Sequence, residues 1–227
     1  MKLAMLGSTG LAGTATVHLA MQRGHEVRAL VRKSTSPPNA LAAAEIVWGD
    51  ALDPDAVAKT IAGVDAVIST LGGYRGPESI EGGTSNILTA MRETGTDRLV
   101  LLQGFHINFP EDPHNPGRRL VQAFLSTRCR PLLRHGAALG ELLLRTGDLS
   151  WTLVRIPRIV QGGPSGRARL GTFALGPWSC VRLGDVASYL IQLIEDGTAI
   201  RQAPMLYTTT RHQSERDPIA TTARAHP

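Results

Sequence analysis

The feature that most constrains this chain is the junction Gly7-Ser8-Thr9-Gly10-Leu11-Ala12-Gly13, which separates a short apolar run, Lys2 to Leu6, from helically spaced residues over Leu11 to Arg23. Val17, Ala20 and Met21 recur on one face of that stretch, and Gly24 stops it. Glycines at this spacing between a strand and a helix permit a tight turn, a close approach to the backbone, and tight seating of the helix. They also leave the free N–H groups and the positive dipole end of the helix open to a phosphate. Beyond this junction, strand signals over Glu26 to Val31, Glu45 to Trp48, Ala66 to Thr70, Arg98 to Gln103 and Trp151 to Ile156 alternate with helical ones. The helices are expected from Asp53 or Asp55 through Ile61, then over Ser79 to Thr94, Leu132 to Thr146 and Asp185 to Glu195, with a last short strand at Met205 to Tyr207. Such alternation requires crossover connections, hence a mostly parallel sheet with helices on both faces, a doubly wound α/β fold.

One domain is expected over residues 1–210, with loops at 105–130 and 158–182 bordering a cleft and a flexible tail over 211–227. Both loop regions are rich in Pro and Gly, the second most clearly over Gln161 to Pro177, and show no clear periodicity. With 42% hydrophobic and 19% charged residues and a mean hydropathy of -0.04, the composition is that of a globular chain. No apolar run reaches the roughly 18 residues of a membrane span. Leu3 to Leu6 is too short for the apolar region of a secretory signal, so a cytoplasmic location is expected. Cys129 and Cys180 fit neither a disulfide framework nor metal-ligand spacing, and no metal site is read.

A net charge of +5 invites a nucleic-acid reading, but 21 of the 24 basic residues are Arg, a skew that follows genome composition more often than phosphate binding. No nucleic-acid partner is expected. The charge is regional: Pro113 to Leu183 holds eleven Arg against Glu141 and Asp148. That region reads either as a solvated surface or as a patch attracting an anionic ligand.

Four features fall at successive strand ends. The glycine turn is the first, with Gly7, Ser8, Thr9, Gly10, Leu11 and Gly13 as cofactor-binding candidates. After the second strand stands Val31-Arg32-Lys33-Ser34, where a binder of NAD places an acidic residue on the ribose 2′-hydroxyl; a guanidinium there favours the 2′-phosphate of NADP. After the third strand, Asp50 and Ala51 offer a carboxylate for an adenine amino group, with a helix cap or turn as the equal alternative. After the fourth, Thr70-Leu71-Gly72-Gly73 brings small residues to the same edge. Gln103 and Pro157 complete the candidate cofactor set.

These segments, with G-V-D-A-V-I-S-T-L-G-G and S-W-T-L-V-R-I-P, resemble the atypical short-chain dehydrogenase/reductases of the NAD(P)H-binding, NmrA-like group, and within it the biliverdin reductase B or flavin reductase type. The likeness covers residues 1 to 107 and 141 to 193. It implies a Rossmann fold, bound NADPH and reduction of flavins or tetrapyrrole-like molecules. Short-chain reductases of the usual kind carry a Tyr-x-x-x-Lys pair, whose Tyr protonates the product. Tyr74, Tyr189 and Tyr207 are each followed four residues later by something other than Lys. Aligned from Glu141, the expected Tyr and Lys positions hold Leu133 and Ala137, and the fifth strand ends in Gln103-Gly104 where the group has Ser.

Polar candidates for the reacting end are Gln103, His106, Arg155 and Arg158, with His135 on the long helix; the two His are read as proton donors near neutral pH or as solvated residues. Arg158 reads as a holder of an anionic group or as a surface residue. Leu132, Leu133, Leu139, Leu142, Leu143 and Leu144 read as core or as contacts between copies of the chain. The sequence therefore points to an NADPH-dependent oxidoreductase acting on a flat, anionic small-molecule acceptor that takes its proton from water. The alternatives are a catalytically silent NAD(P) sensor and, more weakly, an enzyme acting on a biosynthetic intermediate.

Overall fold

The chain runs β1 (Lys2–Leu6), α1 (Leu11–Gln22), β2 (Glu26–Val31), β3 (Glu45–Trp48), α2 (Pro54–Ile61), β4 (Ala66–Ser69), α3 (Glu78–Thr94), β5 (Arg98–Gly104) and α4 (Pro116–Arg128). It continues through α5 (Arg130–Arg145), β6 (Ser150–Ile156), β7 (Arg158–Val160), β8 (Ala168–Gly171), β9 (Cys180–Arg182), α6 (Leu183–Asp196) and β10 (Met205–Thr208). This is a computed structural model that describes residues 1–72, 76–176 and 178–208; Gly73, Tyr74 and the expected tail over 211–227 lie outside them. Eight strands form one sheet in the order β3-β2-β1-β4-β5-β6-β10-β8. All neighbours pair parallel except β10 with β8, and the sheet is doubly wound as expected.

Period-two alternation along β1 explains why both faces must be covered. Leu3 and Met5 pack with Val17 of α1 and Val186, Leu190 and Ile194 of α6 on one face. Ala4 and Leu6 pack with Val57 and Ile61 of α2, Ile87 and Met91 of α3, and Leu139 and Leu143 of α5 on the other. A one-residue slip of register would exchange these two faces, so the pairing Leu3↔Ala66 and Met5↔Ile68 between β1 and β4 is strongly specified. Asp53 is the residue that caps α2, accepting from the N–H groups of Asp55 and Ala56 at 3.1 and 3.4 Å ahead of Pro54 at the first turn. Among the six leucines of α5, Leu132, Leu139 and Leu143 are buried, Leu133 and Leu142 pack at the edge of the core, and Leu144 stays 53% exposed.

Two expectations need correction. The 105–130 region is not a loop, since α4 occupies half of it; Asn115 accepts from Arg118 N–H at 3.0 Å, and Pro116 follows at the first helical turn. The 158–182 region carries β7, β8 and β9 in place of a continuous loop. Asp185 holds its first half in place, accepting from Ser165 N–H and Oγ at 2.7 and 2.8 Å and from Thr208 Oγ1 at 2.7 Å. Among the described residues no helix is long and apolar enough to cross a membrane.

Candidate functional site

The three glycines of the first turn do different work. Gly7 has φ +79, and a Cβ there would lie 2.7 Å from the Thr70 backbone, while one on Gly13 would run into the Gly7 carbonyl. Both are therefore required by the fold, as a left-handed turn and a close helix approach. Gly10, with φ -76, has only the Gly7 carbonyl near its would-be Cβ, at 3.4 Å, and faces open space. No side chain caps α1 at Gly10, and the N–H groups of Leu11, Ala12 and Gly13 find no acceptor among the described residues. That is a cradle of free donors at a helix N-terminus, which suits a pyrophosphate.

From this cradle a cleft of about 360 Å³ runs along the carboxyl ends of β1 to β4. Its walls are Gly7, Thr9 and Gly10, then Leu30, Arg32 and Thr35 around the end of β2, Gly49 to Leu52 after β3, Thr70 to Gly72 after β4, and Gly76, Glu78 and Ser79 at the start of α3. Arg32 is exposed, and its guanidinium makes no hydrogen bond or ion pair with another described residue. Thr35, two residues past Lys33 on the same turn, was not among the expected site residues; the run Ser34-Thr35-Ser36 was the signal for a hydroxyl beside the guanidinium. Glu78 and Ser79 were also missed, because the helix start they occupy was read only as structure. Asp50 lines the cleft and is not the helix cap: its Oδ1 accepts from Leu52 N–H at 2.9 Å, holding the turn between β3 and α2. Ala51 lines the cleft while its carbonyl accepts from Asn86 Nδ2 at 3.0 Å.

Several expected contacts fall elsewhere. The Ser8 side chain is fully buried and donates to the Leu30 carbonyl at 3.0 Å, so it turns away from the cleft. Leu11 is 52% exposed and borders, with Thr14 and His18, a second groove that shares Thr9 and Gly10 with the cleft. Gln103 and Pro157 are buried outside the cleft lining; Gln103 Nε2 donates to the Leu71 carbonyl at 2.6 Å and so fixes the cleft floor from below.

At the ends of β5 and β6 the candidate side chains separate by role. Arg155 is a structural residue, 2% exposed, with both terminal nitrogens 2.6 Å from the Asp112 carboxylate and further donations to the carbonyls of Ile107 and Ala203. Its guanidinium also lies 5.0 Å from the Phe109 ring centre. Burial opposes ionisation of Asp112, but hydrogen bonds from Arg155 and Phe109 N–H and the charges of Arg155 and Arg118 outweigh it, holding the carboxyl below its ordinary range. His106 is pushed down to about 4 by burial, and its Nε2 is enclosed without a partner among the described residues. It is therefore a neutral imidazole at pH 7, which corrects the reading of a proton donor titrating near neutrality. His135, with a side chain 17% exposed, faces α3, where Glu81 lies 3.4 Å from its Nδ1. Arg158 projects from β7, exposed, beside Cys180 of β9.

A mostly parallel, doubly wound sheet with a glycine turn and a cleft along its carboxyl edge defines a dinucleotide-binding protein. The family model described as NAD(P)H-binding matches residues 7–197, and the chain belongs to that family. It is 34% identical over 107 residues to a 2-alkyl-3-oxoalkanoate reductase from Stenotrophomonas maltophilia, covering 44% of this chain and 32% of that protein. It is 32% identical over 108 residues to an uncharacterized protein of Mycobacterium tuberculosis, covering 47% of this chain but 12% of the relative. The match thus spans a third or less of these curated relatives. Among solved structures, a protein assigned as an NADH-flavin reductase from Streptococcus pneumoniae superposes with a TM-score of 0.70 at 25% identity, covering 92% of this chain and all of that one. An anaerobillin reductase from Escherichia coli O157:H7 shares the fold with a TM-score of 0.71 at 20% identity, covering 91% of this chain and 96% of its own.

Proposed function

We propose that the protein is an NADPH-dependent reductase that delivers a hydride to a flat, anionic acceptor of the flavin, quinone or tetrapyrrole kind. The observation that carries this reading is Arg32, a guanidinium in the cleft at the end of β2 that has no partner among the described residues and no carboxylate on the turn beside it. Arg32 and Thr35 would hold the 2′-phosphate, Gly10 and the free N–H groups of Leu11 to Gly13 the pyrophosphate, and Asp50 the adenine amino group. Leu71 and Gly72 wall the path toward the ends of β5 and β6. When bound, the dinucleotide supplies a hydride from its nicotinamide ring.

The chain's own contribution is placement. Gln103 fixes the Leu71 carbonyl, the Arg155–Asp112 pair anchors the segment after β5, and Arg158 offers a cation for the acceptor's anionic group. Leu133 and Ala137 stand where the resemblance expects a phenol and an ammonium, and His106 stays neutral, so the ring takes its proton from water. Two proteins of the same fold are described as reductases, an NADH-flavin reductase from Streptococcus pneumoniae and an anaerobillin reductase from Escherichia coli, which supports a reductase reading. The same two apolar residues favour the second reading, a protein that binds NADP and turns nothing over. Stoichiometric oxidation of NADPH with flavin mononucleotide and a soluble quinone separates them: turnover with either supports the reductase, and saturable NADPH binding without turnover establishes the sensor.

A further inference from the structure

A second hollow, of about 570 Å³, lies between α4, α5 and the segment that follows β5. Its walls are mainly apolar: Ile107, Ala123, Leu133, Ala137 and Leu144, with His106 two residues past the end of β5. The hollow and the cofactor cleft share no lining residue, but contacts at the end of β5 run from one to the other. Gln103 bonds the Leu71 carbonyl of the cleft, and the next residue, Gly104, packs so closely that a Cβ there would lie 2.5 Å from His106 Nδ1. Leu133 and Ala137 are also the two positions where a Tyr and a Lys are expected from the resemblance. The place of the missing acid is therefore an apolar wall one turn long on α5. Among the described residues of the lining there is no Lys or Arg to pair with a negatively charged occupant, and the acidic Glu141, 71% exposed, lies 3.8 Å from Arg145. Leu144 remains 53% exposed at the side of the groove, an apolar surface that a bound chain would cover.

We propose that this groove receives an uncharged, apolar tail of the acceptor, which makes the substrate a ring bearing an alkyl or isoprenoid chain. The inference rests on the reductase reading and extends it: the ring lies at the ends of β5 and β6 with its anionic or polar edge toward Arg158, and the tail runs between α4 and α5. A buried methylene contributes up to about fourfold in binding, and a groove open on one side about half of that in free energy, roughly twofold.

The test is NADPH oxidation with quinones of one ring and increasing tail length, from no tail to decyl, together with a decyl analogue ending in a carboxylate. The unmodified protein and Ala137→Trp, which fills the groove from an exposed helix position, are compared, and NADPH titration of each reports that the fold is intact. The expected result is a kcat/KM that rises about two- to fourfold per methylene over the first carbons, a lower value for the carboxylate-ended tail, and loss of the length dependence in Ala137→Trp. A kcat/KM independent of tail length, or a dependence unchanged by Ala137→Trp, overturns the groove assignment and leaves the reductase reading standing. NADPH that binds but is oxidised with no acceptor overturns both. A groove filled by a second copy of the chain shows as a dimer by light scattering that Ala137→Trp disrupts, and this too overturns the assignment.

Discussion

Replacing His106 with Gln should remove a large part of the protein's sensitivity to mild acid. In the folded chain burial holds the imidazole down to about 4, against 6.5 for the free side chain. The unfolded chain therefore takes up a proton as pH falls through 6.5, while the folded chain does so only near 4. Stability contributed by the neutral ring is complete above about 6.5 and is lost as pH falls from there toward 4. Integrating between pH 7.5 and 5 with those two values gives a loss of about 2 kcal/mol from this residue alone. Asp112 does not contribute in that window, because its stabilisation is lost only as pH falls from the ordinary carboxylate value of 3.8 down through its lowered folded one, both under pH 5. Urea unfolding at the two pH values reads the difference: with an m-value of about 2 kcal/mol/M, the midpoint of the unmodified protein should fall by about 1 M more than that of His106→Gln. Equal falls in the two proteins would show that His106 titrates normally. In that event its exclusion as an acid near neutrality collapses as well.

The remaining predictions concern the cleft and its supports. Gly10→Val should abolish NADPH binding with little change in unfolding midpoint, whereas Gly13→Val should unfold the turn, because a Cβ at Gly13 runs into the Gly7 carbonyl while one at Gly10 stays at ordinary contact distance from it, 3.4 Å; equal behaviour of the two would leave the turn merely structural. Asp112→Ala strands the buried Arg155 charge and should cost about 3 to 5 kcal/mol by denaturant unfolding, and a change under 1 kcal/mol would show the pair is solvated. Arg158→Ala should raise KM for flavin mononucleotide more than for an uncharged quinone, and an equal effect on both would remove Arg158 from the acceptor's anionic group.

Most of the sheet and its helices were legible because their signals are local. The apolar runs of β1 to β6 are bounded by Gly, Asp or Thr, and α1, α2 and α3 follow β1, β3 and β4 at short range. The strand-end features Gly10, Arg32, Asp50 and Leu71 converge for the same reason, since parallel strands bring their carboxyl ends to one edge. α4 was missed because its apolar residues point both ways: Leu125 is buried, but Leu120 and Phe124 are each 63% exposed, so no single apolar face marks the helix. Asn115-Pro116 was the available signal, a capping residue followed by a proline at the first turn. Arg155 could not be read at all from its neighbours. Its partner Asp112 is 43 residues away, and only the folded chain shows that this charge is satisfied within the protein. The direction of Ser8 is likewise set by the Leu30 carbonyl on the next strand, which no turn motif encodes.

The central claim is that the cleft along β1 to β4 takes NADPH, and the most direct measurement is equilibrium titration of the unmodified protein and Arg32→Ala with NADPH and NADH. Loss of a charge-assisted contact of roughly 1.5 to 3 kcal/mol corresponds to about 10- to 150-fold in affinity. NADPH should bind the unmodified protein more tightly than NADH by a factor in that range, and Arg32→Ala should narrow the gap by weakening NADPH while NADH binding stays nearly constant. Equal affinity for the two dinucleotides in the unmodified protein, or an equal loss of both on removing Arg32, would contradict the assignment.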